Sequence, residues 1–227
     1  MRATTILPSL LAADLGRLAD EIKRAEDSGA DALHLDIMDG GFVPNLSFGP
    51  AVVALAKRHT ALPLNVHLML DRPDLMLEKF AAAGADTIQI HAESSCDISA
   101  TLAAIRALGV LPALVLNPLT PHAAALPYLG LIDECLQMTV FPGYGGQKFM
   151  PAPLPEIAKL RAAASAAGKP DFTIMVDGGI TRETIALCAA AGANSFVAGT
   201  ALFASADMKT ETAVLRALAE KGQENRD

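Results

Sequence analysis

Four residues that finish short apolar runs carry most of the ionisable chemistry of this chain: His34, Asp36, His67 and Asp177. They stand in the segments His34-Leu35-Asp36, Asn65-Val66-His67 and Asp177-Gly178-Gly179. Successive residues of a strand point to opposite faces, so His34 and Asp36 share one side. Taking charged groups out of water is costly unless they are paired. Two imidazoles and two carboxylates brought together can satisfy one another through one divalent ion. That mixture of N and O ligands suits Zn²⁺, Fe²⁺, Mn²⁺ or Co²⁺ better than Mg²⁺ or Ca²⁺. A further histidine, in His91-Ala92-Glu93, also ends an apolar run and reads as a satisfied interior residue.

A second constellation is made of glycines late in the chain. Gly143-Tyr144-Gly145-Gly146, Gly178-Gly179 and Gly199-Thr200 each follow an apolar run. One such pair is a tight turn. Three sets on adjacent loops fit a phosphate, because glycine lets backbone N–H groups approach an anion and a helix start adds a favourable dipole. Met38 and Met69 each follow a polar strand end by two residues, and Met138 ends a run. They read either as core filler or as the lining of a site roof.

These residues need a scaffold that gathers strand ends. Strand-like runs occur at Thr5–Leu7, Ala32–Asp36, Leu64–His67, Thr87–His91, Leu111–Leu116, Cys135–Met138, Thr173–Asp177 and Ser195–Ala198. Helical spacing marks Asp14–Ser28, Leu154–Ala167 and Arg182–Ala191. The stretch after Leu119 is the weakest helix, crowded by Pro121 and Pro127, and Pro112 is awkward in a buried strand. A partial repeat supports the alternation: SGADALHLD, AGADTIQIH and AGANSFVAG hold glycines at 29, 84 and 192, consistent with units of about 27 residues. Alternating strands and helices imply parallel strands with right-handed crossovers. Eight units in 227 residues fit one α/β domain over residues 1–227, a (β/α)₈ TIM barrel, with a doubly wound open sheet as the alternative. In a barrel the chemistry lies at the C-terminal strand ends, where these polar residues fall.

Composition narrows the function classes. Hydrophobic residues make up 52% and charged residues 19%, which excludes a disordered chain. The net charge is −7 and no basic run occurs, so neither nucleic acid nor an anionic membrane is an expected partner. The three cysteines, Cys96, Cys135 and Cys188, are scattered, which fits a reducing compartment. With no signal peptide and no long apolar run, the expected location is the cytoplasm. Alanine-rich helix faces are compatible with a homo-oligomer and equally with a monomer.

In order along the chain stand PSLLAAD (from Pro8), HLDIMDGGFVPNLSFGP (from His34), NVHLML (from Asn65) and LNPLTP (from Leu116). MTVFPGYGGQKF (from Met138), VDGGI (from Val176) and VAGTALF (from Val197) complete the series. This series resembles the ribulose-phosphate 3-epimerase family over nearly the whole chain. The resemblance implies a ribulose-phosphate-binding barrel with one divalent metal, interconverting D-ribulose 5-phosphate and D-xylulose 5-phosphate. It implies that His34, Asp36, His67 and Asp177 are the metal ligands, with Asp36 the proton acceptor and Asp177 the proton donor. It makes Ser9 and His67 substrate contacts, and Gly143, Tyr144, Gly145, Gly146, Gly178, Gly179, Gly199 and Thr200 the phosphate loops. Three positions depart from the family pattern: Gly41 where His is frequent, Phe141 where a small or polar residue is common, and Thr200 for a frequent Ser.

The chemistry agrees with the resemblance. Inverting a carbon beside a ketone requires removing a proton on one face and returning one on the other. Asp36 and Asp177, three strands apart around the ring, can flank a phosphorylated ketose, and a metal can stabilise the enediolate. Alternatives are a 3-epimerase of a ketohexose phosphate such as allulose 6-phosphate, for which Phe141 leaves room, and a non-catalytic sugar-phosphate-binding barrel. A related metal-dependent decarboxylase would carry Lys where Met38 stands, and none of the lysines ends a strand as a Schiff-base aldolase requires.

Overall fold

Strands that are covered on both faces read as continuous apolar runs rather than as polar–apolar alternation, and eight such strands form the centre of this protein. The computed structural model describes residues 4–224. The strands are β1 (Thr5–Pro8), β2 (Leu33–Met38), β3 (Leu64–Met69), β4 (Thr87–His91), β5 (Leu111–Leu116), β6 (Glu134–Met138), β7 (Thr173–Asp177) and β8 (Ser195–Ala198). The α-helices are α1 (Leu18–Asp27), α2 (Pro50–His59), α3 (Leu77–Ala83), α4 (Ile98–Ala107), α5 (Leu154–Ala166), α6 (Ile185–Ala191), α7 (Thr200–Phe203) and α8 (Met208–Glu224).

Among the described residues all seven strand pairings are parallel, in the order β1-β8-β7-β6-β5-β4-β3-β2. The two ends of that order meet through a parallel bridge between Ser9 and His34, which brings the sheet round into a barrel. The open-sheet alternative is thereby set aside. The outward faces of the strands, among them Leu33, Leu35, Val66, Ile88 and Leu114, pack with Ile22, Val53, Phe80, Leu102 and Leu160 of the surrounding helices. Each such side chain contributes roughly 1.5–3 kcal/mol when fully buried. The inward faces form a separate apolar cluster of Leu7, Val115, Leu136, Met138, Met175 and Val197.

The differences from the sequence reading are local. Strand β2 runs on through Ile37 and Met38, and β6 starts one residue earlier, at Glu134. The first turn of the segment from Asp14 is a 3₁₀ turn at Leu15–Arg17, because the Asp14 side chain accepts the Gly16 N–H before α1 begins. Between β5 and β6 there are only two 3₁₀ turns, His122–Ala124 and Leu126–Tyr128, where Pro121 and Pro127 deny the N–H groups a longer helix needs. Pro112 sits within β5 opposite Ile88 and does not end the strand. The three repeat glycines each follow a helix in left-handed backbone, with φ of 79°, 102° and 120° at Gly29, Gly84 and Gly192.

Candidate active site

At the C-terminal ends of the strands lies a cavity of about 330 Å³. Its lining includes Ser9, Asp36, Met38, Met69, Met138, Asp177, Gly178, Gly179, Gly199 and Thr200, together with Phe141 and all of Gly143–Gly146. Every residue singled out for a site is therefore on this wall except His34 and His67. Those two lie just beneath it and are fully buried. His34, Asp36, His67 and Asp177 each offer a ligand atom, and the four atoms lie within 4.8 Å of one another.

The strand register explains the convergence. His34 pairs with Asn65 and Asp36 with His67 across β2 and β3, so the four side chains share the inner face as two facing rows. Asp177, at the end of β7, reaches the same point from across the barrel. Asp36 Oδ1 is 3.2 Å from His34 Nε2 and 3.0 Å from His67 Nδ1. Its Oδ2 accepts the Ser9 hydroxyl at 2.6 Å. His34 Nδ1 lies 3.0 Å from Asn65 Oδ1, an acceptor, so the His34 proton belongs on Nδ1. In the neutral ring that leaves the lone pair on Nε2, which is buried without a hydrogen-bond partner despite its nearness to Asp36.

A row of contacts runs from Asp36 Oδ1 to His67 Nδ1 at 3.0 Å, His67 Nε2 to His91 Nε2 at 2.9 Å, and His91 Nδ1 to Glu93 Oε2 at 3.3 Å. Each contact needs one proton, and two neutral imidazoles supply two. The row ends in a carboxylate at both sides, so one more cation is required. The Asp36–His67 contact is where His34 Nε2 and Asp177 also point, and a divalent ion there would satisfy all four groups at once. Two histidine nitrogens and two carboxylates, with the outer histidine nitrogens held by Asn65 and His91, form a donor set suited to such an ion.

Burial and the neighbouring side chains set the protonation of the four residues. Burial opposes charge on His34, but Asp36, Asp177 and Asn65 outweigh it and push it up to about 9. Burial, reinforced by His91 and His34, lowers His67 to about 4 against the pull of Asp36. Burial would raise Asp36, yet His34 and His67 hold it well below the usual carboxylate range. Asp177 goes the other way, pushed up to about 7 by burial and by the negative charge of Asp36. The two aspartates thus sit in opposite protonation regimes, one a base and one able to carry a proton.

The glycine loops close the other half of the cavity. Gly178 and Gly179 have φ of 120° and 65°, and a Cβ on either would meet backbone nitrogen, that of Val140 at 2.7 Å or that of Phe149 at 2.6 Å. Their lack of side chains is therefore demanded by packing as well as by access to the cavity. The loop after β6 is held over the site: Asn45 Nδ2 donates to Gly143 O at 2.8 Å, and the Tyr144 hydroxyl donates to Pro44 O at 2.9 Å. Tyr144 thus lines the cavity with its hydroxyl already engaged. Phe141, 49% exposed, stands at the mouth. The three methionines are both things the sequence allowed, since they are buried in apolar clusters and also face the cavity. Asn65, His91 and Glu93 are not among the residues the sequence assigns to the site: His91 ends β4 and Glu93 follows it, while Asn65 lies near the start of β3. Their place depends on contacts between strands, which spacing along one strand does not carry.

Comparison with known proteins agrees with this geometry. A model of the "Ribulose-phosphate 3 epimerase family" matches residues 5–203. The chain is 44% identical over 211 residues to "Ribulose-phosphate 3-epimerase" of Bacillus subtilis (strain 168), covering 93% of this chain and 97% of that one. It is 44% identical over 200 residues to the protein of the same name from Synechocystis sp., covering 87% and 86%. Among solved structures, the 3-hexulose-6-phosphate synthase of Salmonella typhimurium matches with a TM-score of 0.66 and 16% identity, covering 96% of this chain and 99% of that one, a likeness of fold.

Proposed function

The chain belongs to the ribulose-phosphate 3-epimerase family, and from that premise we propose that it interconverts D-ribulose 5-phosphate and D-xylulose 5-phosphate at C3. The observation that carries this reading is the pair Asp36 and Asp177, which reach one buried point from β2 and β7 and can flank a substrate there. The whole chain, residues 1–227, acts as one catalytic barrel.

His34, Asp36, His67 and Asp177 would hold one divalent ion, of the Zn²⁺, Fe²⁺, Mn²⁺ or Co²⁺ group. Such an ion supplies Lewis-acid stabilisation of negative charge on the oxygens beside the reacting carbon. The chain does the rest. Asp36 takes the C3 proton; its Oδ2, held by Ser9, is the oxygen turned away from the two histidines. Asp177 returns a proton on the opposite face. Aspartate is a weak base, so its effect depends on positioning and on removal from water. Met38, Met69 and Met138 line the cavity as apolar, unreactive walls. Gly143, Gly145, Gly146, Gly178, Gly179, Gly199 and Thr200 receive the phosphate, and binding that remote group orients the carbon. Thr200 keeps the hydroxyl of a serine there.

The cytoplasm remains the proposed location. No helix among the described residues is long and apolar enough to cross a membrane, and the cysteines are free thiols. The test of the metal is direct. Chelator-treated protein loses interconversion of the two pentose phosphates, and one equivalent of a divalent ion of the named group restores it. Full activity in demonstrably metal-free protein would reject the metal's role.

A further inference from the structure

Below the four ligands, on the inner face of the barrel, lies a second polar layer that the reaction does not use. Glu134, the first residue of β6, places Oε1 3.0 Å from Asn65 Nδ2, and the same oxygen accepts a very short bond from Gln89 Nε2. Asn65 turns its other amide atom, Oδ1, to His34 Nδ1 at 3.0 Å. A continuous row thus joins Glu134 on β6 to Asn65 on β3 and His34 on β2.

We propose that Glu134 is a positioning residue for the metal centre, fixing the Asn65 amide so that His34 keeps its proton on Nδ1 and its lone pair on Nε2. This rests on the reading that His34 is a metal ligand.

An asparagine amide can turn by half a rotation, exchanging donor for acceptor at nearly the same shape. With the opposite orientation, Nδ2 would face His34 Nδ1, the imidazole proton would move to Nε2, and that nitrogen could no longer bind an ion. Asn65 itself has no means of choosing. Glu134 Oε1 makes the choice, because it only accepts, whether the acid is ionised or carries its proton on Oε2. Gln89 holds that oxygen in place from a third strand, β4. A carboxylate at position 65 would need no such help, since both of its oxygens accept. The chain instead keeps a neutral amide beside His34 and sets the carboxylate one residue further away.

The test uses Co²⁺ binding to metal-free protein, followed by calorimetry, with circular dichroism showing that each variant is folded. Glu134→Gln offers Asn65 an amide that can donate as well as accept, so Asn65 can turn over. Co²⁺ affinity is expected to fall by roughly 10–100-fold. The double variant Asn65→Asp with Glu134→Gln is expected to bind within about threefold of the parent, because an aspartate beside His34 cannot present a donor. A purely structural role for Glu134 predicts no such rescue. Affinity of Glu134→Gln within twofold of the parent, or a folded double variant that binds as weakly as Glu134→Gln, overturns the proposal. If Glu134→Gln fails to fold, the double variant decides alone. Failure of the parent protein to bind Co²⁺ would overturn the metal site itself, and this proposal with it, whereas tight binding by the parent and by Glu134→Gln alike removes only this one.

Discussion

The Nε2 atoms of His67 and His91 lie 2.9 Å apart, so one ring donates there and the other accepts. Glu93 decides which. Its Oε2, 3.3 Å from His91 Nδ1, accepts the hydrogen bond of an Nδ1–H and so leaves His91 Nε2 as the acceptor. His67 then donates from Nε2 and keeps Nδ1 for the ion. Glu93 is itself fixed by the Asn117 N–H and the Thr120 hydroxyl.

His91→Phe should therefore weaken metal binding without removing a ligand. Loss of a partner that orients a ligating histidine costs roughly 10–100-fold in affinity. Phe42, whose ring centre lies 4.6 Å from that of His91, offers the new ring an aromatic neighbour, so the fold should survive. Calorimetric titration of the metal-free variant checks both points.

Metal uptake should release protons and strengthen with pH. In the metal-free site His34 stays protonated up to about 9, and Asp177 holds a proton up to about 7. An ion must displace them, since protonated groups do not ligate. Affinity should rise about tenfold per pH unit between roughly 7 and 9, more steeply below 7, and level off above 9. Titrations in buffers of different ionisation enthalpy count the protons released. A pH-independent affinity would contradict the protonation pattern.

Asp36→Asn and Asp177→Asn should each remove activity while leaving a folded barrel. A positioned base or acid contributes about 10²–10⁴-fold, and loss of a ligand adds to that. Turnover is checked in metal-replete protein, with circular dichroism as the control. Near parental turnover in Asp177→Asn would end the two-base reading.

Gly179→Ala should destabilise the protein and raise KM for the ketose phosphate. Backbone strain at φ 65° costs about 1–3 kcal/mol, and the clash with Phe149 N adds to it. Denaturant unfolding measures the first effect and steady-state kinetics the second. Gly130, with nothing near its added Cβ, is the control position for the same change.

Much of this was legible in the chain because a parallel barrel buries its strands on both faces. The run Leu111–Leu116 is apolar from end to end, and Thr173–Asp177 has an apolar centre, Ile174–Val176, with Asp177 at its close; the structure keeps both bounds. Polar residues towards the ends of such runs face one another at the mouth, which is why the types and spacing of His34, Asp36, His67 and Asp177 are enough to group them. The start of α1 was less legible, since Asp14 acts through a local hydrogen bond that periodicity does not see, whereas Pro121 and Pro127 did mark the stretch after Leu119 as a poor helix. Least legible were Asn65, His91, Glu93 and Glu134. Their part lies in which atom donates across a gap between strands, a relationship that no one-dimensional spacing records.

The most direct measurement is proton NMR in D₂O with metal-replete protein and either ribulose 5-phosphate or allulose 6-phosphate. Epimerisation through two carboxylates predicts deuterium entering C3 of the pentose, together with xylulose 5-phosphate, much faster than any change in the hexose. Faster exchange with the hexose would contradict the substrate, and no exchange at C3 with either would contradict the reaction.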